Sequence, residues 1–166
     1  MRIKIGLLTL VGSLALAALT AAPALVEERT CRGTIGAATV DNLRVPQGAS
    51  CTLNGTRVKG TIRVENGATL KASRVSVIGN VQAEGAANVS VASSSVGGSV
   101  QVVQGKSSRL DRTSVEGDVQ YFENRGSISI TRNRIDGNLQ CKENNPPPSG
   151  GGNIVQGNKE DQCARL

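Results

Sequence analysis

The sequence predicts an all-β protein, a single-stranded, right-handed parallel β-helix (solenoid) of about seven coils of 19–20 residues. Three observations lead to this fold class. A four-residue phrase, "GNVQ" at 79–82 and its variants, recurs at a nearly constant interval. Apolar and polar residues alternate after each glycine, which is the period of a strand. Aromatic residues are only 1% of the chain, and stacked Val and Ile can fill a narrow coil without them.

The repeat is anchored on glycine. Successive anchors are 19, 19, 19, 20 and 20 residues apart, and "DNLRV" at 41–45 aligns one step before "GTIRV" at 60–64. A fixed period near 20 residues is typical of a solenoid, and parallel crossovers favour the right-handed sense. We expect the anchors to turn one corner and a second set of glycines to turn another, because glycine adopts a positive φ without strain. The anchors are Gly60, Gly79, Gly98, Gly117, Gly137 and Gly157, and the second set is Gly48, Gly67, Gly105 and Gly126.

Four sets of apolar residues define the predicted core, and polar residues separate them as in strands with one buried face. No apolar period of 3.6 residues persists, so helix is not expected. The first set is Ile62, Val81, Val100, Val119 and Leu139; the second is Val64, Ala83, Val102, Tyr121 and Cys141; the third is Val58, Val77, Val96, Val115, Ile135 and Val155; the fourth is Leu70, Val89, Val91, Leu110, Ile128 and Ile130.

Residues 1–24 have the order of an export signal. Arg2 and Lys4 precede an apolar stretch, and "APA" at 22–24 fits a cleavage site. We therefore expect a secreted, extracellular solenoid domain over 25–166; the alternative is an uncleaved membrane anchor over 5–26. Cleavage lowers the basic count from 19 to 17 against 13 acidic residues, a net charge of +4. With no basic run and few aromatics, neither nucleic acid nor, after cleavage, a membrane is an expected partner.

Four cysteines in an exported chain predict two disulfides. Cys31 and Cys51 are 20 residues apart, and Cys141 and Cys163 are 22 apart, so each pair spans about one coil. Residues one coil apart stack about 4.8 Å from each other, which is within the Cα range of a disulfide. The other pairings would join opposite ends of the rod, so we predict Cys31–Cys51 and Cys141–Cys163.

The repeats resemble known groups of proteins. "GNVQAEGAANV" and "GGSVQV" are similar in style to the repeats of bactofilins, which are bacterial polymer-forming β-solenoids. The export signal, the "GASCTLNGT" opening and the "GNLQCKEN…GNKEDQC" ending resemble small secreted bacterial proteins of unknown function. The first resemblance implies self-association, and the second implies no particular activity.

No catalytic residues are predicted, and no cofactor. The chain has no His, which excludes Ser–His and Cys–His arrangements. Three carboxylates do fall near one corner: Glu116 and Asp136 in one column, and Asp118 beside them. We expect a salt-bridged surface patch with Arg112, Arg132 and Arg134; a cation site or a catalytic pair are the alternatives.

Two further polar columns stand out. Gln82, Gln101, Gln120 and Gln140 are expected to form a ladder of amides, either stabilising the stack or offering a flat face to a glycan. Asn133 and Asn153, with Thr113 and Ser94 in the same column, are expected to turn a corner, since Asn tolerates a left-handed backbone. The segment "KENNPPPSGGGN" at 142–153 is either a mobile loop or a cover for the end of the stack.

Together these features predict an exported, non-enzymatic structural or binding protein of the cell surface or extracellular space. Its expected partners are a cell-wall or extracellular glycan, or further copies of itself. A small polysaccharide-active enzyme using Glu116, Asp118 and Asp136, or a self-assembling filament subunit, are the alternatives.

Overall fold

A computed structural model describes residues 27–166 as a parallel β-solenoid built from 22 short strands in three sheets. Each coil contributes one strand to sheet A, then one to sheet B, then one to sheet C. Sheet A contains β1 (Glu28–Thr30), β4 (Asn42–Val45), β7 (Ile62–Val64), β10 (Val81–Glu84), β13 (Val100–Val103), β16 (Val119–Phe122), β19 (Leu139–Lys142) and β22 (Lys159–Asp161). Sheet B contains β2 (Thr34–Ile35), β5 (Ser50–Asn54), β8 (Thr69–Ser73), β11 (Asn88–Ala92), β14 (Ser107–Asp111), β17 (Ile128–Thr131) and β20 (Ser149–Gly151). Sheet C contains β3 (Thr39–Val40), β6 (Arg57–Val58), β9 (Ser76–Val77), β12 (Ser95–Val96), β15 (Ser114–Val115), β18 (Arg134–Ile135) and β21 (Ile154–Val155).

The predicted fold class and coil register are confirmed. Val81 pairs with Val100, and Val119 pairs with Leu139, at offsets of 19 and 20 residues. The four predicted apolar sets all face the interior, and every member is buried except Val155, which is partly buried. A period-two pattern therefore places one aliphatic residue directly above another in successive coils. The right-handed sense of the coil stays a prediction.

The anchor glycines are required for a different reason from the one expected. They stand where the chain passes from sheet C to sheet A, the CA corner, and residues 60, 79, 98, 117, 137 and 157 are not among those with positive φ. A Cβ built on Gly79 would lie 2.7 Å from the carbonyl oxygen of Gly60, and one on Gly98 would lie 2.9 Å from that of Gly79. Successive coils approach too closely at this corner for any side chain. The expectation of positive φ was wrong here, and steric stacking is the cause.

Apart from Gly150 and Gly151 in β20, the residues with positive φ lie around the other two corners. At the AB corner, between sheets A and B, positive φ occurs at the predicted Gly48 and Gly67, but not at Gly105 or Gly126. At the BC corner, between sheets B and C, it occurs in one column that runs through successive coils and mixes glycine with larger residues. That column consists of Gly55, Arg74, Ser93, Arg112, Arg132 and Gly152.

The buried asparagines do not adopt the left-handed backbone that the sequence suggested. Asn133 and Asn153 each follow a left-handed residue, Arg132 and Gly152, and turn their own side chains into the interior. The Nδ2 of Asn133 donates to the carbonyl of Leu110, and its Oδ1 accepts the backbone N–H of Thr113 in the preceding coil. Such bonds satisfy the backbone groups that a corner takes out of the sheets.

Both ends of the solenoid carry a disulfide, in the predicted pairing. Cys31–Cys51 has a Cα–Cα distance of 5.6 Å, and Cys141–Cys163 has one of 5.3 Å. Two disulfides indicate an oxidising environment. Within the segment 142–153, residues Ser149–Gly151 form the last strand of sheet B, so this segment completes a coil instead of looping away.

The predicted export signal, residues 1–24, lies outside the described residues, which begin at 27. Across 27–166, no helix is long and apolar enough to cross a membrane.

Candidate functional site

Two of the three predicted carboxylates stack in adjacent coils, and the third lies apart from them. Glu116 and Asp136 are exposed, in register at the end of sheet C. Asp136 accepts a hydrogen bond from Gln156 and forms an ion pair with Arg134 at 3.1 Å. Asp118 lies beyond the CA corner, where its Oδ1 accepts the backbone N–H of Asn138 at 2.7 Å. The expected pairing with arginine therefore holds for Asp136 and Arg134.

A cation site at Glu116, Asp118 and Asp136 receives no support from this arrangement. Asp118 serves its own corner, and Asp136 is shared between an arginine and an amide. Over residues 27–166, no three side chains of His, Cys, Asp or Glu are grouped as a metal site would require. Arg112 and Arg132, which were expected to neutralise these carboxylates, bind a different one.

Asp118 belongs to a column of polar residues, one per coil, that lies just after the CA corner. Asn42, Asn80 and Asn138 each use Oδ1 to accept the backbone N–H of the residue that begins the next coil's turn, at 2.8–2.9 Å. Asp118 does the same with a carboxylate oxygen, and Ser99 with its hydroxyl. The members share an acceptor oxygen on a short side chain. That common property, rather than residue identity, is what the corner requires.

The glutamine ladder forms on the outer face of sheet A. Gln101 donates to Gln120 at 3.3 Å, and Gln120 donates to Gln140 at 2.8 Å. Gln140 then donates to Glu160 on the last strand. Gln82 lies in register with Gln101. These amides hydrogen-bond along the stack, which ties the coils together and leaves fewer donors for a ligand.

Within residues 27–166, a charged cluster that the sequence analysis did not predict lies on the outer face of sheet B. Asp111 ends β14 on the outer face of sheet B, yet none of its side chain is exposed. Three guanidinium groups cover it: Arg109 and Arg112 each lie 3.1 Å from Oδ2, and Arg132 lies 3.0 Å from Oδ1. Each of these arginine side chains remains more than half exposed.

The surroundings of Asp111 favour its ionised form. Burial acts to raise the pKa of Asp111, but hydrogen bonds from Arg132 and Arg109 and the nearby charge of Arg112 outweigh it, so the pKa is below its ordinary value. One negative charge therefore meets three positive ones, because arginine stays protonated in proteins. The cluster carries a net charge of about +2.

Sequence reasoning missed this cluster because its members come from different positions of the repeat. Arg109 and Asp111 alternate outward along β14, whereas Arg112 and Arg132 occupy the left-handed column of the BC corner. The available signal was the offset of 20 residues between Arg112 and Arg132, next to an acidic residue in an outward position.

Comparisons of the chain with protein-family profiles, with curated proteins and with solved structures find no match.

Proposed function

We propose that this chain is an exported, non-enzymatic β-solenoid that acts as a structural or binding scaffold at the cell surface or in the extracellular space. The order of residues 1–24 and the two disulfides support export. Residue ladders that bond coil to coil support a rigid rod with flat faces.

The observation that carries the proposal is how the polar side chains outside the core are used. Of the three carboxylates that an enzyme could use as an acid and a base, Asp118 accepts a backbone N–H and Asp136 is bonded to Arg134 and Gln156, which leaves Glu116 without a second unengaged carboxylate beside it. Asp111 is held by three arginines. The contacts from arginine hold the pKa of Asp111 below its ordinary value, which makes Asp111 a poor general acid. Flat faces with fixed charges suit binding better than turnover.

Secreted protein incubated with pectin, alginate, peptidoglycan and isolated cell walls tests the proposal. We expect retention on at least one of these materials, with each polymer left at its original length. Turnover that disappears in Glu116→Gln or Asp136→Asn would replace the proposal with the enzyme alternative.

Mass spectrometry of the secreted chain should find Leu25 at the N-terminus, whereas a membrane-bound chain retaining Met1 would contradict export.

A filament subunit is the second candidate, and the sheet edges favour it. The terminal strands β1, β2 and β3 at one end, and β20, β21 and β22 at the other, each have one neighbouring strand among residues 27–166. Open edges are sites of strand addition from another chain. Sedimentation and electron microscopy of the secreted protein distinguish the two candidates, since filaments would grow with protein concentration.

A further inference from the structure

We propose that the outer face of sheet B and the adjoining BC corner bind an anionic polysaccharide through Lys71, Arg74, Arg109, Arg112 and Arg132. This inference rests on the proposed binding function and adds the chemical class of the ligand. Four properties of this surface support it: its charge, the positions of its arginines, its backbone and its shape.

The exposed charges of this surface are positive. In the seven strands of sheet B, the only acidic residue is Asp111, which is fully covered. Five cations therefore stand against one carboxylate. Lys71 and Arg74 form no ion pair within residues 27–166; the Arg74 guanidinium donates to the neutral amide of Asn54 at 2.6 Å. An uncompensated basic surface attracts a polyanion over distances up to the Debye length.

The arginines around Asp111 are held in place before any ligand arrives. Each guanidinium makes one contact with the carboxylate, while its side chain remains 56–57% exposed. A guanidinium carries five N–H donors, so most remain for a second, external acid group. Three guanidinium groups held close together repel one another. The buried carboxylate of Asp111 offsets part of this repulsion, and a bound anionic ligand would offset the rest.

The backbone of the BC corner favours glycine, yet two of the cluster's arginines stand there. The column begins with Gly55 and ends with Gly152, which fit the left-handed conformation without strain. Arg74, Arg112 and Arg132 adopt φ of 53°, 48° and 54° at the same position. A left-handed conformation costs an ordinary residue about 1–2 kcal/mol. Ser93 and, at the AB corner, Gln104 and Glu123 also adopt a positive φ, so the corners themselves impose this conformation. At the BC corner, three of the residues that accept its cost are arginines.

The shape of the surface suits an extended ligand. A shallow, open groove lies on this nearly flat face over β5, β8 and β11, lined by Lys71 and Arg109 and by the small residues Ser73, Ser90 and Ala92. Lys71 and Arg109 belong to one column with Ser90 between them, so they are about two coil spacings, or ~10 Å, apart. Arg74 and Arg112 are separated in the same way by Ser93.

A linear, acidic sugar polymer fits this spacing. It can follow the groove along the stack and present carboxylate or sulfate groups to successive cations, and the planar guanidinium pairs with either group through two hydrogen bonds. Nucleic acid fits less well, because single strands bind on aromatic side chains. The chain has one Tyr and one Phe; Tyr121 is buried and Phe122 lies on sheet A.

The test measures binding of the secreted protein to heparin, to polygalacturonate and to neutral dextran at several salt concentrations. Heparin reports on sulfate, polygalacturonate on carboxylate, and dextran on contacts that need no charge. We expect at least one acidic polymer to bind, with affinity that falls as salt rises, and dextran not to bind. Binding of neither acidic polymer, or equal binding of dextran, would overturn the proposal.

Two double variants locate the site. Lys71→Gln with Arg74→Gly removes two unpaired cations and places glycine where Gly55 already stands in the column. It should weaken binding by at least about tenfold without loss of folding. Arg63→Gln with Lys106→Gln removes the same charge elsewhere, and we expect a change of less than about threefold. Equal losses in both variants would mean that only net charge matters and would refute the site.

Duplex DNA is the last ligand to compare. If DNA binds more tightly than both acidic polysaccharides at the same salt, the surface is a general polyanion site and the proposal fails. If the secreted protein instead binds cell walls but neither acidic polymer, the ligand class is wrong while the broader binding function stands.

Discussion

At the scale of single residues, the large side chain of Tyr121 packs in the core against the small polar residue Ser108. Tyr121 is buried, and its hydroxyl lies 3.1 Å from the Oγ of Ser108. Ser108 stands in the column of Val89 and Ile128, and its hydroxyl donates to the carbonyl of Val89 at 2.9 Å, which leaves its Oγ to accept from the Tyr121 hydroxyl. Burial raises the pKa of Tyr121 to about 12, so the phenol stays neutral at physiological pH.

A double-mutant cycle tests this fit. Ser108→Val alone should destabilise by about 1–3 kcal/mol, because a branched side chain would crowd the tyrosine ring. Ser108→Val with Tyr121→Val copies Val89 and Val102 of the preceding coil, so the double variant should lose less than the sum of the single losses by about 1 kcal/mol or more. Urea unfolding of the four proteins measures this. Additive losses would mean that the two residues do not share space.

Asp111 provides a pH-dependent contribution to stability. Its pKa is lower in the folded protein than its ordinary value of 3.8, so its ion pairs stabilise the fold above that pH and are lost as pH falls through the lower, folded-state value. Asp111→Asn should therefore reduce the free energy of unfolding at pH 7 by about 1 kcal/mol, since its partners are half exposed. The difference from the wild type should close below pH 3.8.

Thermal unfolding between pH 2 and pH 7 measures that difference. Glu123→Gln is the control, because Glu123 accepts a bond from the neutral amide of Gln104 on the surface. A gap between Asp111→Asn and wild type that stays constant over the whole range would show that the carboxylate's charge does not matter.

At the scale of elements, the CA corner depends on the close approach of successive coils. A Cβ on Gly117 would lie 2.5 Å from the Oγ of Ser99 and 2.9 Å from the carbonyl of Gly98. Gly117→Ala should therefore cost about 1–3 kcal/mol by overpacking. Gly36→Ala is the matched control, since no atom lies within 4 Å of its Cβ and its φ is not positive; it should change stability by less than about 0.5 kcal/mol. Equal effects in chemical denaturation would contradict close stacking as the reason for these glycines.

The strands and their register could be predicted from the sequence because equivalent positions of successive repeats carry similar residues. Val81, Val100 and Val119 repeat both type and spacing, and burial follows directly from alternation. The corners could not be predicted as well. Gly79 and Gly67 look alike in a sequence. Gly79 is needed because a Cβ there would collide with the preceding coil, whereas Gly67 is needed because its φ is positive.

Side-chain clusters were the least predictable feature. The charged residues Glu116, Asp118 and Asp136 are close in coil position, yet the corner between them directs Asp118 to another face. The cluster around Asp111 was not predicted because its three arginines come from a strand and from a corner column. Contacts of that kind depend on side-chain direction at the corners, which spacing alone does not specify.

At the scale of the whole molecule, the solenoid has two ends at which cohesion is weakest. An inner coil bonds to a coil above and a coil below, whereas a terminal coil has one such neighbour. The two disulfides join the end coils at Cys31–Cys51 and Cys141–Cys163, and short hydrogen-bonded turns over 160–166 place Leu166 against the core. The cross-links are therefore located where local unfolding would otherwise begin.

Removing one disulfide should loosen the end that carries it. Cys31→Ala with Cys51→Ala releases a loop of 20 residues and should lower the free energy of unfolding by about 3 kcal/mol in the chain-entropy model. Amide hydrogen exchange should accelerate in β2 and β5 and stay unchanged in β17. Cys141→Ala with Cys163→Ala is the matched variant and should give the reverse pattern, with faster exchange in β19 and β22. Uniform acceleration through all coils in either variant would mean that the solenoid unfolds as one unit, because fraying from a released end cannot reach the far coils while their neighbours remain paired.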